Sequence, residues 1–322
     1  MRAVHLIDHI GPDGIEIVDV DEPITSKHQV VVDLHASGVA YPDLLQTRAG
    51  YQVVHELPAV LGMEGAGTVR TAPPGCGFEP GDRVAVLGDG TWQRTVSVEP
   101  HSVFALPATV STHAGAGMLL NYLTAEFVLN ERARCRRGET VLVQGAAGGI
   151  GVATLSVAKA LGLTSIAVVS STAKARAALQ NGATHIVNAG DFRTQVREIT
   201  GGRGVDIVVD PVGGDRFLDS LRTLATGGRL IVVGFAAGDI PTVKVNRLLL
   251  QNTAVIGAGW AEFIRADPSY PSTQWRTLKP LLENGTLRVP EPTVYPLDRA
   301  AAALRLIDDR AAIGKVVLDF TQ

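Results

Sequence analysis

Residues 141–151 read VLVQGAAGGIG, and the apolar run VATLSVAKALG follows directly at Val152. A β-branched strand that runs into closely spaced glycines and then into a helix is the signature of a dinucleotide-binding turn. Glycine is needed where the chain reverses tightly and where backbone N–H groups approach a pyrophosphate. Another is needed where the helix packs closely on the strand. The helix N-terminus adds a partial positive charge. In the usual spacing Ala146, Gly148 and Gly151 take the three key positions, so alanine replaces the first glycine. The candidate cradle is Gly145, Ala146, Ala147, Gly148, Gly149, Ile150 and Gly151. A purely structural turn uses the same glycines, but the surrounding pattern argues against it.

That pattern is strand alternating with helix. Strands are expected over 140–144, 165–169, 184–187, 205–209 and 228–233. Helices are expected over 113–130 (capped by Ser111), 149–161, 172–181, 192–200 and 214–225. Such spacing predicts a doubly wound parallel sheet covered on both faces, a Rossmann domain. Its second strand ends Val168-Val169-Ser170-Ser171-Thr172-Ala173-Lys174. An NAD site usually carries Asp or Glu there for the ribose 2′-hydroxyl. Here Ser170, Ser171 and Lys174 are available for an extra phosphate instead, which favours NADP(H) over NAD. The plainer alternatives are a helix cap for Ser171 or Thr172 and a solvated lysine. Val212, and Gly234 with Phe235, follow later strands at carboxyl ends, where ligands bind in open α/β sheets. Phe235 fits the core equally well.

The first hundred residues have a different texture. Segments 2–7, 15–19, 29–36, 64–70, 82–87 and 92–98 are short, apolar and separated by turns such as Gly11-Pro12-Asp13-Gly14. They predict a β-barrel-like or sandwich domain. A weaker βα pattern returns with helix 298–308 and strand 315–320. A chain of 322 residues fits about two domains. A net charge of −3 argues against a nucleic-acid binder with a broad basic surface. Two cysteines, Cys76 and Cys135, make neither a disulfide framework nor a four-cysteine zinc site, and point to a reducing compartment. No run reaches about 18 apolar residues and no signal-peptide pattern opens the chain. The expected location is cytoplasmic, with no membrane partner.

Nearly the whole chain resembles the zinc-independent branch of the medium-chain dehydrogenase/reductase superfamily, and most closely the NADPH:quinone oxidoreductases. The resemblance rests on VAYPDLL at 39–45, LGMEGAGTV at 61–69, PGDRVAV at 80–86 and NYLTAEFVL at 121–129. It continues through the glycine loop, NGATHIVN at 181–188, GVDIVVDPVGG at 204–214 and GKVVL at 314–318. It implies a GroES-like catalytic domain over 1–120, a Rossmann NADP-binding domain over 121–257 and a return to the catalytic domain over 258–322. It also implies an active site in a cleft between them, and a homodimer through the Rossmann sheet edge near 252–258.

Zinc-dependent relatives carry ligands at three positions that are Ala40, Met63 and Leu120 here. Alanine and leucine cannot ligate zinc and methionine is a poor ligand for it, so no metal is expected. Without a Lewis acid, the chemistry left is hydride donation to an acceptor already activated. The resemblance places a tyrosine at the Tyr51 spacing in the active site. A phenol can hydrogen-bond an oxyanion or donate a proton. Tyr41, in the first motif, is the second catalytic candidate, with packing as its plainer role. By the same resemblance Thr124 and Asn121 meet the nicotinamide region, and Arg310 contacts the 2′-phosphate. Two residues depart from the pattern. Ala40 stands where many quinone reductases have Asn, and Ala189 stands where close relatives have a tyrosine near the adenosine phosphate.

The leading expectation is NADPH-dependent hydride transfer to a quinone. The alternative is reduction of α,β-unsaturated carbonyls or enoyl thioesters. A third is a low-turnover NADPH sensor or structural protein.

Overall fold

The structure is a computed structural model and describes residues 1–321. The amino-terminal strands are β1 (Arg2–Leu6), β2 (Ile15–Asp19), β3 (Val30–Val39), β4 (Ala59–Val60), β5 (Glu64–Thr71), β6 (Arg83–Leu87), β7 (Thr95–Val98) and β8 (Val103–Ala105). Then come β9 (Thr140–Val143), β10 (Thr164–Val169), β11 (His185–Asn188), β12 (Val205–Asp210), β13 (Leu224–Val232) and β14 (Ala254–Gly257). Strands β15 (Thr293–Pro296) and β16 (Val316–Asp319) end the chain. Two compact units result. The first holds residues 1–120, 268–285 and 289–322; the second holds 121–267 and 286–288.

In the first unit, β3 is the common member of the larger sheet. Its first half pairs antiparallel with β7, its second half with β16, and most of its length with β5. The order is β15-β16-β3-β5-β6-β8. Two register shifts in β3, at Val31/Val32 and Leu34/Ala36, let one strand serve neighbours in different directions. The apolar faces of β3, β5, β6 and β16 share one core with the buried Trp92. The Trp92 indole N–H donates to Gly38 O at 2.9 Å, so burial leaves it satisfied. A short helix, α1 (Tyr41–Gln46), follows β3 directly and was not foreseen from the sequence.

The expected helix 113–130 is three pieces. It opens as α2 (Thr112–Ala116), where Ser111 Oγ accepts the Ala114 N–H as expected of a cap. It restarts as α3 (Leu119–Glu126) and ends in a π-helical turn over Phe127–Arg132. Gly117 breaks it, and a Cβ there would lie 2.5 Å from Lys315 Cγ.

The second unit is an all-parallel sheet in the order β11-β10-β9-β12-β13-β14. That is the doubly wound arrangement, with the strand order reversing between β9 and β12. Helices α4 (Gly149–Ala160), α5 (Thr172–Gln180), α6 (Phe192–Ile199) and α7 (Phe217–Arg222) make the crossovers. The expected helix 214–225 stops at Arg222, and β13 begins at Leu224 rather than 228. Buried Leu224 and Ala225 are claimed by the sheet and its core, which overrides their helical propensity. After α8 (Asn246–Gln251) and β14, helix α9 (Trp260–Ala266) still belongs to this unit. Its Phe263 ring lies 4.9 Å from that of Phe127. The chain therefore re-enters the first unit at Pro268, not at 258. There α10 (Tyr270–Glu283) and α11 (Ala300–Asp308) complete the fold. The sequence reading named no helix over α10, which carries Pro271 and Pro280.

Candidate active site

At the carboxyl end of β9, Gly145 takes a left-handed φ of +58°. The tight turn is therefore made one residue earlier than the spacing implied. Ala146 is fully buried and its N–H is spent on Val168 O at 3.3 Å, so it does not face a phosphate. Gly148 caps α4, and its own N–H turns back to Gly145 O at 3.0 Å. The N–H groups of Gly149, Ile150 and Gly151 then open the helix, where they have no acceptor within it. Gly151 is a steric necessity. A Cβ there would sit 2.4 Å from Gly145 O and 2.6 Å from Ala146 Cα.

Other expected residues gather around this turn. Asn121 is nearly buried in α3, with its amide against the first turn of α4: a Cβ on Gly149 would meet Asn121 Nδ2 at 2.6 Å. Thr124 lies one turn further along α3 and is equally buried. Across the switch point, Val212 Cγ2 is 3.1 Å from the place a Gly145 side chain would take. Asp210, at the end of β12, shapes that loop. Its Oδ1 accepts the N–H groups of Val212 at 2.8 Å and Gly213 at 2.9 Å. Burial pushes the Asp210 carboxyl up, and those two N–H groups pull it back down. Gly234 and Phe235 follow β13. They reach the same loop, because Ala236 N–H donates to Pro211 O and Phe235 Cδ1 lies 2.9 Å from a would-be Gly213 Cβ.

At the end of β10, Ser170 and Ser171 are exposed. Ser171 Oγ accepts the Lys174 N–H at 3.3 Å, so it does cap α5. Arg310 is the one member of the expected phosphate set carried by the first unit, at a left-handed φ of +55° after α11.

Tyr41 and Tyr51 also belong to the first unit. Tyr41 opens α1 and is 37% exposed; Tyr51 is half-buried in the segment beyond that helix. The same unit holds a group that the sequence reading passed over. Asp43 and Glu64 are fully buried. Asp43 Oδ2 accepts the Ala40 N–H at 2.7 Å, and Glu64 Oε2 accepts the Leu120 N–H at 3.0 Å. Lys315 Nζ stands 2.6 Å from Glu64 Oε1. Burial pushes the Asp43 carboxyl up to about 7, against the opposing pull of the Ala40 N–H and the Lys315 ammonium. The signal was a charged residue inside each of three otherwise apolar motifs, VAYPDLL, LGMEGAGTV and GKVVL. Among the described residues, no three His, Cys, Asp or Glu side chains cluster so as to hold a metal ion.

Two family models match the chain. The alcohol dehydrogenase GroES-like domain covers residues 26–126, and the zinc-binding dehydrogenase model covers residues 149–281. Quinone oxidoreductase-like protein 2 of Bos taurus is 35% identical over 307 residues, spanning 94% of this chain and 88% of that protein. The chain belongs to the quinone oxidoreductase-like medium-chain dehydrogenases/reductases. Among solved structures of this family of oxidoreductases, a probable oxidoreductase from Mycobacterium abscessus is 40% identical. It has a TM-score of 0.89 over 99% of this chain and 98% of that one. The Escherichia coli quinone oxidoreductase, solved as a complex with NADPH, is 27% identical. Its TM-score is 0.89 over 99% of this chain and all of that one.

The close approach at Gly151 yields a direct test. Gly151→Ala pushes a methyl group into backbone on two sides and should cost about 1–3 kcal/mol in denaturant unfolding, as overpacking does. Gly148→Ala, whose nearest neighbour would be 3.5 Å away, is the control and should cost less. Equal stability of both variants would contradict the packing described.

Proposed function

We infer that this protein transfers a hydride from NADPH to a quinone. The observation that carries the reading is the glycine cradle at the switch point, beside a β10 end that offers Ser170, Ser171 and Lys174 and no carboxylate. Relatives named quinone oxidoreductases, and the NADPH complex of one of them, support it. The first turn of α4 fits a pyrophosphate, because its N–H groups lack acceptors within the helix and no side chain fills the space over Gly148. Asn121, Thr124, Val212, Gly234 and Phe235 would hold the nicotinamide end, and Ser170, Ser171, Lys174 and Arg310 the 2′-phosphate.

The nicotinamide supplies the hydride. The protein binds and orients the cofactor, excludes water and stabilises charge on the acceptor oxygen. Ala40, Met63 and Leu120 offer no donor set for zinc, so this stabilisation falls to hydrogen bonds. The Tyr51 hydroxyl is assigned as donor, with Tyr41 as the second candidate. The half-buried phenol also keeps a second reading in view, the reduction of α,β-unsaturated carbonyls, whose enolate needs both a hydrogen-bond donor and a proton.

The edge of the second unit's sheet supports a homodimer. Strand β14 pairs with β13 on one side, and nearby Val245, Leu249 and Leu250 are 73–77% exposed. An open edge beside exposed apolar side chains is suited to a second copy of the same chain.

Three outcomes test these assignments. Lys174→Ala should weaken NADPH binding roughly 10- to 100-fold, the worth of a charge-assisted contact, and leave NADH binding unchanged. Equal weakening of both, or a wild-type preference for NADH, would remove the NADP assignment. Tyr51→Phe should lower turnover of an enone by roughly 10²–10³-fold, as loss of an oxyanion donor does, and that of 1,4-benzoquinone by less. In that assay the wild type should keep its rate in EDTA; variant turnover within about twofold for both acceptors makes Tyr51 a packing residue. Leu249→Glu with Leu250→Glu should convert a dimer to a monomer in sedimentation velocity, and a monomeric wild type would discard the edge interface.

A further inference from the structure

Two buried carboxylates and a largely buried lysine stand together in the first unit, and the chemistry proposed so far uses none of them. Lys315 enters from the start of β16, Glu64 from the start of β5 and Asp43 from α1. The fold makes room for them. A Cβ on Gly38 would lie 2.7 Å from Glu64 Oε1, and one on Gly117 would collide with the Lys315 stem. Lys315 Nζ and Glu64 Oε1 pair at 2.6 Å. Asp43 holds the Ala40 N–H through Oδ2, while its Oδ1 is buried with no hydrogen-bond partner. The groups facing Asp43 are the Lys315 ammonium, the Glu64 carboxylate and the N–H groups of Ala40 and Gly62.

We propose that Asp43, Glu64 and Lys315 form a buried charge cluster that sets the polarity of the wall around Tyr41, with Asp43 as its switchable member. This rests on the reading that Tyr41 and Tyr51 line the acceptor site. One ammonium and one carboxylate cancel, so the cluster is neutral while Asp43 carries its proton. Ionised Asp43 makes it singly negative. Hydride transfer puts negative charge on the acceptor, and a like charge buried in the adjoining wall opposes it. Asp43 acts through field and position, its buried carboxylate fixing the Ala40–Tyr41 turn. Burial holds its carboxyl near neutral pH, so the switch works in the physiological range. The sign follows. Below about 7 the cluster is neutral and turnover is highest, and as pH rises through that value turnover falls.

The test has two arms. In the first, the protein, which has five tyrosines, is labelled with 3-fluorotyrosine, and the Tyr41 fluorine resonance is assigned by its loss in Tyr41→Phe. Its shift should inflect near pH 7 in the wild type and not in Asp43→Asn, where an amide oxygen still accepts the Ala40 N–H. Lys315→Arg keeps the cation and should keep the inflection. In the second arm, 1,4-benzoquinone turnover at saturating NADPH is followed from pH 5.5 to 8.5. The wild type should lose roughly tenfold relative to Asp43→Asn, the size of effect that a buried like charge near the developing one produces. A Tyr41 resonance without the inflection overturns the proposal. So does an Asp43→Asn pH profile that matches the wild type. Absence of turnover with an intact fluorine inflection strikes instead at the assigned reaction, and leaves the cluster established as the source of the field at Tyr41.

Discussion

Between Gly151 and the backbone at Gly145–Ala146 there is no room for a methyl group. That contact fixes the angle at which α4 leaves β9, and so the direction of the helix N-terminus. Everything else at the nucleotide end is arranged around that direction. Asn121 lies across the first turn of α4, and its amide occupies the volume that a side chain on Gly149 would fill. Val212 closes on Gly145 from the neighbouring strand, held by the two N–H bonds that Asp210 accepts. A helix tilted away from the strand would lose the N–H cradle and the Asn121 contact together.

Much of this was legible in the sequence because the constraints are local. Period and glycine spacing mark strand, turn and helix, and the parallel order follows from the repeating βα unit. The choice of glycine was not. Spacing alone assigns the first position to Ala146, whereas the left-handed residue is Gly145. Both sit in the same string, and only the hydrogen bond from Ala146 to Val168 O separates their roles. The end of α7 was misjudged for a different reason: Leu224 and Ala225 read equally well as helix, and burial in the sheet decides. Helix α9 was given to the wrong unit, since the Phe263–Phe127 contact joins residues far apart in sequence.

In the first unit the motifs were visible and their charged residues were not interpreted. Asp43, Glu64 and Lys315 each stand alone in an apolar stretch, and a lone charge in sequence is most often solvated. Their pairing depends on β3, β5 and β16 lying side by side, a long-range feature that no local pattern carries. By contrast, the absence of zinc donors at Ala40, Met63 and Leu120 follows from residue identity alone.

The two observations bear on each other. Two of the positions that hold metal ligands in the zinc-dependent relatives, Ala40 and Leu120, here give their backbone N–H groups to Asp43 and Glu64. The carboxylates thus organise backbone in a site whose own side chains are small or apolar. Such an arrangement is costly to bury. Replacing a buried ion pair by well-packed apolar groups is often neutral or stabilising by about 1–4 kcal/mol. An apolar core would have been the easier solution for stability, and β3, β5 and β6 already contribute to one. What apolar residues cannot do is accept an N–H from the turn that begins α1 and another from the start of α3. The Lys315 ammonium makes the second carboxylate tolerable, and Asp43 is left with one bonded oxygen and one bare one. The cluster is therefore better understood as a device for placing backbone and charge than as a source of stability.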